Sequence, residues 1–214
     1  MRRSLVLILI VCAAAAAQLD TGSLHLRLLS PLGDPYGDEG DVIDRGAQFG
    51  FHAGYDFELL SGFYLGPRIG GLFYRDGRTE DSAGFSYHSD LDWVELIFGG
   101  GLRYQIYTGG DLEPWFGVDV GLGWANLNAT LTVNTGGLES SYEDSGQGTG
   151  LAVELRGGVC YWLSRGLGLS LAAEYHLNTV KELSWEDEDG EVQTGDLEDN
   201  LNALGLGFGV FYQF

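Results

Sequence analysis

The sequence predicts an all-β chain that closes into an eight-stranded antiparallel up-and-down transmembrane β-barrel. Three observations predict it. Apolar residues alternate with small or charged ones at a two-residue period over eight segments, the connections between these segments run long and short by turns, and residues 204–214 alternate up to an aromatic at Phe214.

Length and charge set the bounds. A chain of 214 residues suits one domain, and no shift of composition asks for a second. A formal net charge of −20 makes nucleic acid and other polyanions unsuitable partners.

Residues 1–17 read as a cleaved secretory signal peptide. Arg2 and Arg3 precede the apolar run from Leu5 to Val11, and small residues from Ala13 to Ala17 offer an Ala-x-Ala site before Gln18. A membrane-spanning helix would need about 20 apolar residues, which this run lacks. Val11 before Cys12 does not fit a lipid-attachment signal, which wants a small residue there. Once the signal is removed, Cys160 is the one cysteine of residues 18–214, so no intrachain disulfide is expected.

The first strand, 23–29, sets Leu24, Leu26 and Leu28 against His25 and Arg27. The second, 49–59, sets Phe49, Phe51, Ala53, Tyr55 and Phe57 against Gly50, His52, Gly54, Asp56 and Glu58. In 63–75, Phe63, Leu65, Ile69 and Phe73 oppose Tyr64, Gly66, Arg68 and Gly70; in 93–106, Val94, Leu96, Phe98, Leu102 and Tyr104 oppose Glu95, Gly99, Gly101 and Arg103. Segment 115–127 sets Phe116, Val118, Val120, Leu122 and Trp124 against Gly117, Asp119, Gly121 and Gly123. Segment 150–162 sets Leu151, Val153, Leu155, Val159 and Tyr161 against Glu154, Arg156, Gly158 and Cys160. Segment 167–178 sets its leucines and Tyr175 against Ser170, Glu174 and His176, and 202–214 completes the eight.

Long connections are expected at 31–45, 76–92, 128–149 and 179–200, and short ones at 60–62, 107–113 and 163–166. This pattern places long loops outside the cell and both termini in the periplasm.

Alternation alone does not distinguish a soluble barrel from a lipid-embedded one, because soluble ligand-carrying barrels alternate in the opposite sense. The minor face decides. A watered outer surface would be dense in Lys, Thr and Glu, whereas here that face is mostly glycine with isolated charges. Every strand Arg (Arg27, Arg68, Arg103, Arg156) falls on it, where lipid would otherwise penalise the charge. Aromatics near strand ends, among them Phe63, Phe73, Trp93, Tyr104, Trp115, Trp124, Tyr161, Trp162 and Tyr175, are expected at the two membrane interfaces.

Leu204, Leu206, Phe208, Val210, Tyr212 and Phe214 alternate, with Gly209 between them. Gly209, Tyr212 and Phe214 resemble the C-terminal assembly signal of bacterial outer-membrane proteins, which implies recognition by the barrel-assembly machinery. The chain departs from that signal at Gly207, where a polar residue is usual. Over the whole of 18–214, size, strand count and loop alternation are similar to the small eight-stranded barrels of the OmpA transmembrane domain, OmpX and opacity-type families. That resemblance implies an outer-membrane location among lipid and lipopolysaccharide.

An eight-stranded barrel is just wide enough for side chains to fill. The interior is expected to hold a polar network of Arg68, Arg103, Arg156, Asp56, Glu58, Glu95, Asp119, Glu154 and Glu174, because buried charges persist when paired. The competing reading is a narrow gate opened by rearranging these pairs, as the OmpA-type resemblance implies. Of 31 acidic residues, 22 fall in the four long loops, against Arg45, Arg78 and Lys181. Divalent cations bridging these acids to lipopolysaccharide phosphates are a weaker expectation than a solvated surface. Asp187-x-Asp189-Gly190 lacks the remaining ligands of a calcium loop.

No cofactor, metal site or catalytic residue is expected. His88-Ser89-Asp90 is the nearest constellation, but neighbours in a loop do not provide fixed nucleophile–base geometry. His25, His52, His176 and Cys160 read as lumenal filling. The sequence thus points to a non-catalytic outer-membrane barrel with a structural or surface-interaction role; a narrow channel or carrier for small solutes is the alternative, and a lipid A-modifying enzyme the third.

Overall fold

A computed structural model describes residues 20–31, 48–82, 85–135, 138–180, 182–186, 192–196 and 201–214. The expected signal segment 1–17, most of the connection 31–45 and the fragment 187–190 lie outside the described residues. The strands are β1 (Asp20–Pro31), β2 (Gln48–Leu60), β3 (Phe63–Ser82), β4 (Phe85–Gln105), β5 (Leu112–Thr135), β6 (Leu138–Trp162), β7 (Leu167–Asn178), β8 (Glu182–Glu186), β9 (Val192–Asp196) and β10 (Leu201–Gln213).

Each of β1 to β6 pairs antiparallel with the next, and β10 fits between β7 and β1 to close the ring of eight. Closure leaves no free edge in the ring, which is what lets a sheet cross lipid. β8 and β9 form a hairpin outside the ring, tied to β6 through Gln147 and Ser184. Among the described residues only Gly62 (φ 80°) and Gly109 (φ 77°) take positive φ, and both sit in the short turns that reverse the chain.

The two faces have the polarity that the alternation predicts. Leu26 is 65% exposed while its neighbours His25 and Arg27 are 0% and 2% exposed. Along β7, Gly168, Ser170, Ala172, Glu174, His176 and Asn178 are buried in strict alternation with outward-facing positions. Outward leucines, valines and phenylalanines thus form an apolar belt around a polar interior, the arrangement a hydrocarbon surround requires.

Two connections differ from expectation. Segments 76–92 and 128–149 are ladders rather than loops: β3 and β4 stay paired to Ser82 and Phe85, and β5 and β6 to Thr135 and Leu138. At about 3.4 Å per residue, the 24 residues of β5 extend roughly 80 Å, whereas a tilted strand needs only about 9–11 residues to span the bilayer. The outer face marks where the membrane ends. It is apolar through Phe73, Val94, Trp124 and Leu151, then turns polar at Arg75, Asp92, Asn126 and Thr149, in register between β3 and β4 and stepped by two residues from β4 to β5 and from β5 to β6. Beyond that line the faces exchange roles. The inner side becomes apolar, with Tyr74, Trp93 and Ala125 buried and Leu91 and Leu127 packed against them.

The connection 179–200 also folds inward at its start. Val180 is fully buried and joins Leu183 in the same cluster as Trp93 and Tyr74. The amide of Thr179 donates to the Leu151 carbonyl and that of Val180 to Asn178 Oδ1, both at 2.9 Å. This segment lies over the lumen at the end where the ladders project.

Three aromatics expected at the membrane interface point inward instead. Trp93 and Trp115 are 5% and 2% exposed, and the Trp162 indole donates to buried Glu113. Their parity explains the correction: Trp93 shares the face of Glu95, Trp115 that of Asp119 and Trp162 that of Arg156. Trp115 packs with Cys160, Ala172 and Phe211 in a second internal cluster, nearer the short turns.

Candidate functional site: the ion-paired lumen

Strands β1 to β7 each send at least one charged or polar side chain inward, β10 supplies Ala203, glycines and Phe211, and alternation makes the polar groups converge. All nine residues of the expected network are buried there: Arg68, Arg103, Arg156, Asp56, Glu58, Glu95, Asp119, Glu154 and Glu174. Arg27, which belongs with them, lies at the centre of one half. Its Nη1 is 2.6 Å from Glu154 Oε1 and its Nε 2.6 Å from Glu174 Oε2.

The other half centres on Arg68. Its Nε donates to Asp119 Oδ1 at 3.0 Å and its Nη2 to Asp56 Oδ1. Asp119 is shared with Arg156 through Oδ2, and Asp56 with Arg103, whose Nε lies 3.1 Å from Oδ2. The Arg103 guanidinium also stacks over Tyr64 at 4.3 Å and Phe211 at 4.4 Å, replacing lost hydration with ring faces.

Histidines join the halves. His52 accepts from Arg156 Nη1 at Nδ1 (3.0 Å), and since a guanidinium only donates, the His52 proton sits on Nε2, facing Asp119 at 3.2 Å and Glu154 at 3.8 Å. His176 lies between Glu95 and Glu154, 3.3 Å from each. His25 is wholly buried among Trp115, Phe211 and His52.

Toward the short turns the donors that reach the carboxylates Glu113 and Glu58 are neutral. Arg103 donates to Gln105 Oε1, Gln105 Nε2 donates to Glu113 Oε2 at 2.5 Å, and the Trp162 indole donates to the same oxygen at 2.7 Å. Glu58 accepts from the Gly62 amide and from Tyr107, whose hydroxyl also lies 2.5 Å from that of Tyr64. Burial, with the bonds to Tyr64 and Glu58, pushes the Tyr107 phenol up from its ordinary value. Sequence reasoning did not select Gln105, Glu113, Tyr64 or Tyr107. Parity within β3, β4 and β5 is the signal that finds Tyr64, Gln105 and Glu113, and Tyr107 continues the β4 parity into the turn.

The arrangement fills the barrel. Beside His52, Arg68, Asp119 and Glu154 there is a cavity of about 10 Å³, room for about one water molecule. His52, Asp119 and Glu154 bring three ligand-type atoms within 4.8 Å of one another. They do not suit a cation, because Arg68 and Arg156 hold Asp119, Arg27 holds Glu154, and a metal on His52 Nε2 would displace its proton while Nδ1 faces a guanidinium.

Above the membrane line, His88 is placed differently from its sequence neighbours. Its Nδ1 is 2.7 Å from Thr79 Oγ1 across the β3–β4 ladder and its Nε2 3.0 Å from Asp90 Oδ2, while Ser89 faces the opposite side. The Gly209, Tyr212 and Phe214 positions lie on the closing strand. Gly209 sits against the Leu24 and His25 backbone, and the outward rings of Tyr212 and Phe214 meet at 4.9 Å.

A ring of eight strands, apolar outside and ion-paired inside, defines a transmembrane β-barrel whose lumen is packed with side chains. Residues 4–214 match the family model described as "Outer membrane protein beta-barrel domain", and the chain belongs to that family of outer-membrane proteins. Its fold is similar to Neisserial surface protein A (13% identity, 92% of this chain and 97% of that one, TM-score 0.50). OprG from Pseudomonas aeruginosa is another similar structure (12% identity, 92% and 96%, TM-score 0.46), as is Ail, the attachment invasion locus protein of Yersinia pestis, in complex with a heparin analogue (14%, 92% and 98%, TM-score 0.43). No curated protein sequence matches.

Proposed function

We propose that the chain is a non-catalytic outer-membrane barrel that presents long β-hairpins to the cell exterior and acts there as a structural or surface-interaction protein. The observation that carries this reading is the continuation of β3–β4 and β5–β6 as paired ladders beyond the apolar belt, with a polar outer face. The short turns and the ends of β1 and β10 then lie in the periplasm. Outer-membrane lipid and lipopolysaccharide surround the belt, divalent cations at the acidic connections are a weaker adjunct, and the barrel-assembly machinery reads Gly209, Tyr212 and Phe214 during insertion.

A narrow conduit is the second reading, favoured by the chain of ionisable side chains from Glu95 to Glu113 along the lumen. Lipid A modification has less support. The Thr79–His88–Asp90 contact is exposed, and Ser89, the hydroxyl between His88 and Asp90 in sequence, faces the opposite side of the ladder from His88.

The test is labelling of intact cells with a membrane-impermeant maleimide. Ser141→Cys, on the β5–β6 hairpin, should label, and Ser164→Cys, on a short turn, should not; Cys160 is buried and gives little background. Labelling at Ser164→Cys alone would reverse the orientation and remove the reading.

A further inference from the structure

The lumenal carboxylates fall into two groups. Asp56, Asp119, Glu154, Glu174 and Glu95 each have a guanidinium or imidazole nitrogen within 3.3 Å. Glu58 and Glu113, at the short-turn end, are each 9% exposed, and neither has a Lys, Arg or His partner among the described residues. A buried carboxylate without a cation is costly, and neutral donors offset only part of that cost.

Glu113 differs from Glu58 in what lies beside it. It lines a pocket of about 480 Å³ between the turns 106–111 and 163–166. Both neutral donors to Glu113, Gln105 Nε2 and the Trp162 indole, bond to Oε2, so Oε1 is left for an occupant of the pocket. The Trp162 indole meets the carboxylate through its N–H edge, and Trp162 itself lines the pocket. At the rim, exposed Asp111 and Arg165 offset each other formally. The uncompensated charge of the pocket is therefore the single negative charge of Glu113.

We propose that this pocket binds a small solute bearing one ammonium group, with Glu113 as its counter-ion and Trp162 as its aromatic wall. One positive charge gives Glu113 the counter-ion that Asp56, Asp119, Glu154, Glu174 and Glu95 already have. A polyamine would bring charge that the pocket does not match, and a neutral solute would leave Glu113 as it is. The proposal rests on the reading above only for the compartment from which the solute arrives, the periplasm.

The experiment is a titration of the refolded protein in nonionic micelles, following the Trp162 indole N–H resonance, assigned with Trp162→Phe. Butylammonium should shift it saturably, and 1-butanol, its neutral isostere, should not. Glu113→Gln should abolish the shift, and Glu139→Gln, on the external hairpin, should leave it unchanged. If Glu113→Gln loses the folded barrel's heat-modifiable gel migration, Gly110→Trp decides. Gly110 lines the pocket, and a Cβ there meets only Thr108 Oγ1 at 3.8 Å, so a bulky side chain is accommodated at the pocket without changing Glu113 or Trp162. Equal shifts with butanol, or an unaltered butylammonium titration in either pocket variant, would overturn the proposal. Micelles expose both ends of the barrel, so this result is independent of orientation, which the maleimide labelling reports separately.

Discussion

Gly207 makes the room through which Glu174 reaches across the closing seam. A Cβ at position 207 would lie 2.7 Å from the Glu174 Cδ and closer still to Oε1, the carboxylate whose other oxygen holds Arg27 at 2.6 Å. β10 therefore carries glycine where the assembly signal usually has a polar residue, because the lumen needs the space.

Gly207→Ser restores the polar residue of the signal but intrudes on the Arg27–Glu174 pair. It should destabilise the folded barrel by about 1–3 kcal/mol, as overpacking does, measured as a lower urea midpoint in lipid vesicles. An unchanged midpoint with improved assembly would mean that the signal, and not the lumen, governs this position.

Arg68 joins Asp119 to Asp56, and removing it leaves two buried carboxylates with fewer partners. Arg68→Ala should cost about 3–5 kcal/mol, the usual effect of breaking a buried pair from one side. Arg68→Ala combined with Asp119→Asn should cost less than the sum of the two single changes, because the pair is removed together. Additive losses in urea unfolding would show that the contacts are not coupled.

Tryptophan orientation is directly measurable. With brominated lipid as quencher, a variant retaining only Trp124 should lose most of its fluorescence. Variants retaining only Trp93 or Trp115, which are 5% and 2% exposed and face the lumen, should be quenched weakly. Strong quenching of Trp115 would place it on the lipid side and invert β5.

Most of the ring was legible because period-two patterning is strong where one face meets hydrocarbon. Leu24 to Leu28 against His25 and Arg27 fixes a face from a few residues, and β7 matches its expected span of 167–178. The ladders above the membrane were not legible. From Asn126 onward in β5 one face carries Asn126, Asn128 and Thr130 while Leu127 on the other packs against the upper internal cluster, so the period continues with its polarity exchanged and reads as a loop. The site was half legible. Parity places the nine charged residues in the lumen, but the partners depend on strand register and side-chain reach, as with Arg27 meeting Glu154 from across the barrel. Trp115 was misassigned because position near a strand end was weighed above parity.

The central claim is that this lumen is closed by paired charges below and by the Val180, Leu183 and Trp93 cluster above. Planar-bilayer recording of the purified, refolded barrel tests it most directly. The predicted result is a silent membrane, with no discrete conductance steps from protein whose folding is verified by heat-modifiable migration. Reproducible steps whose size changes in Arg68→Ala would contradict it and make the narrow conduit the leading account.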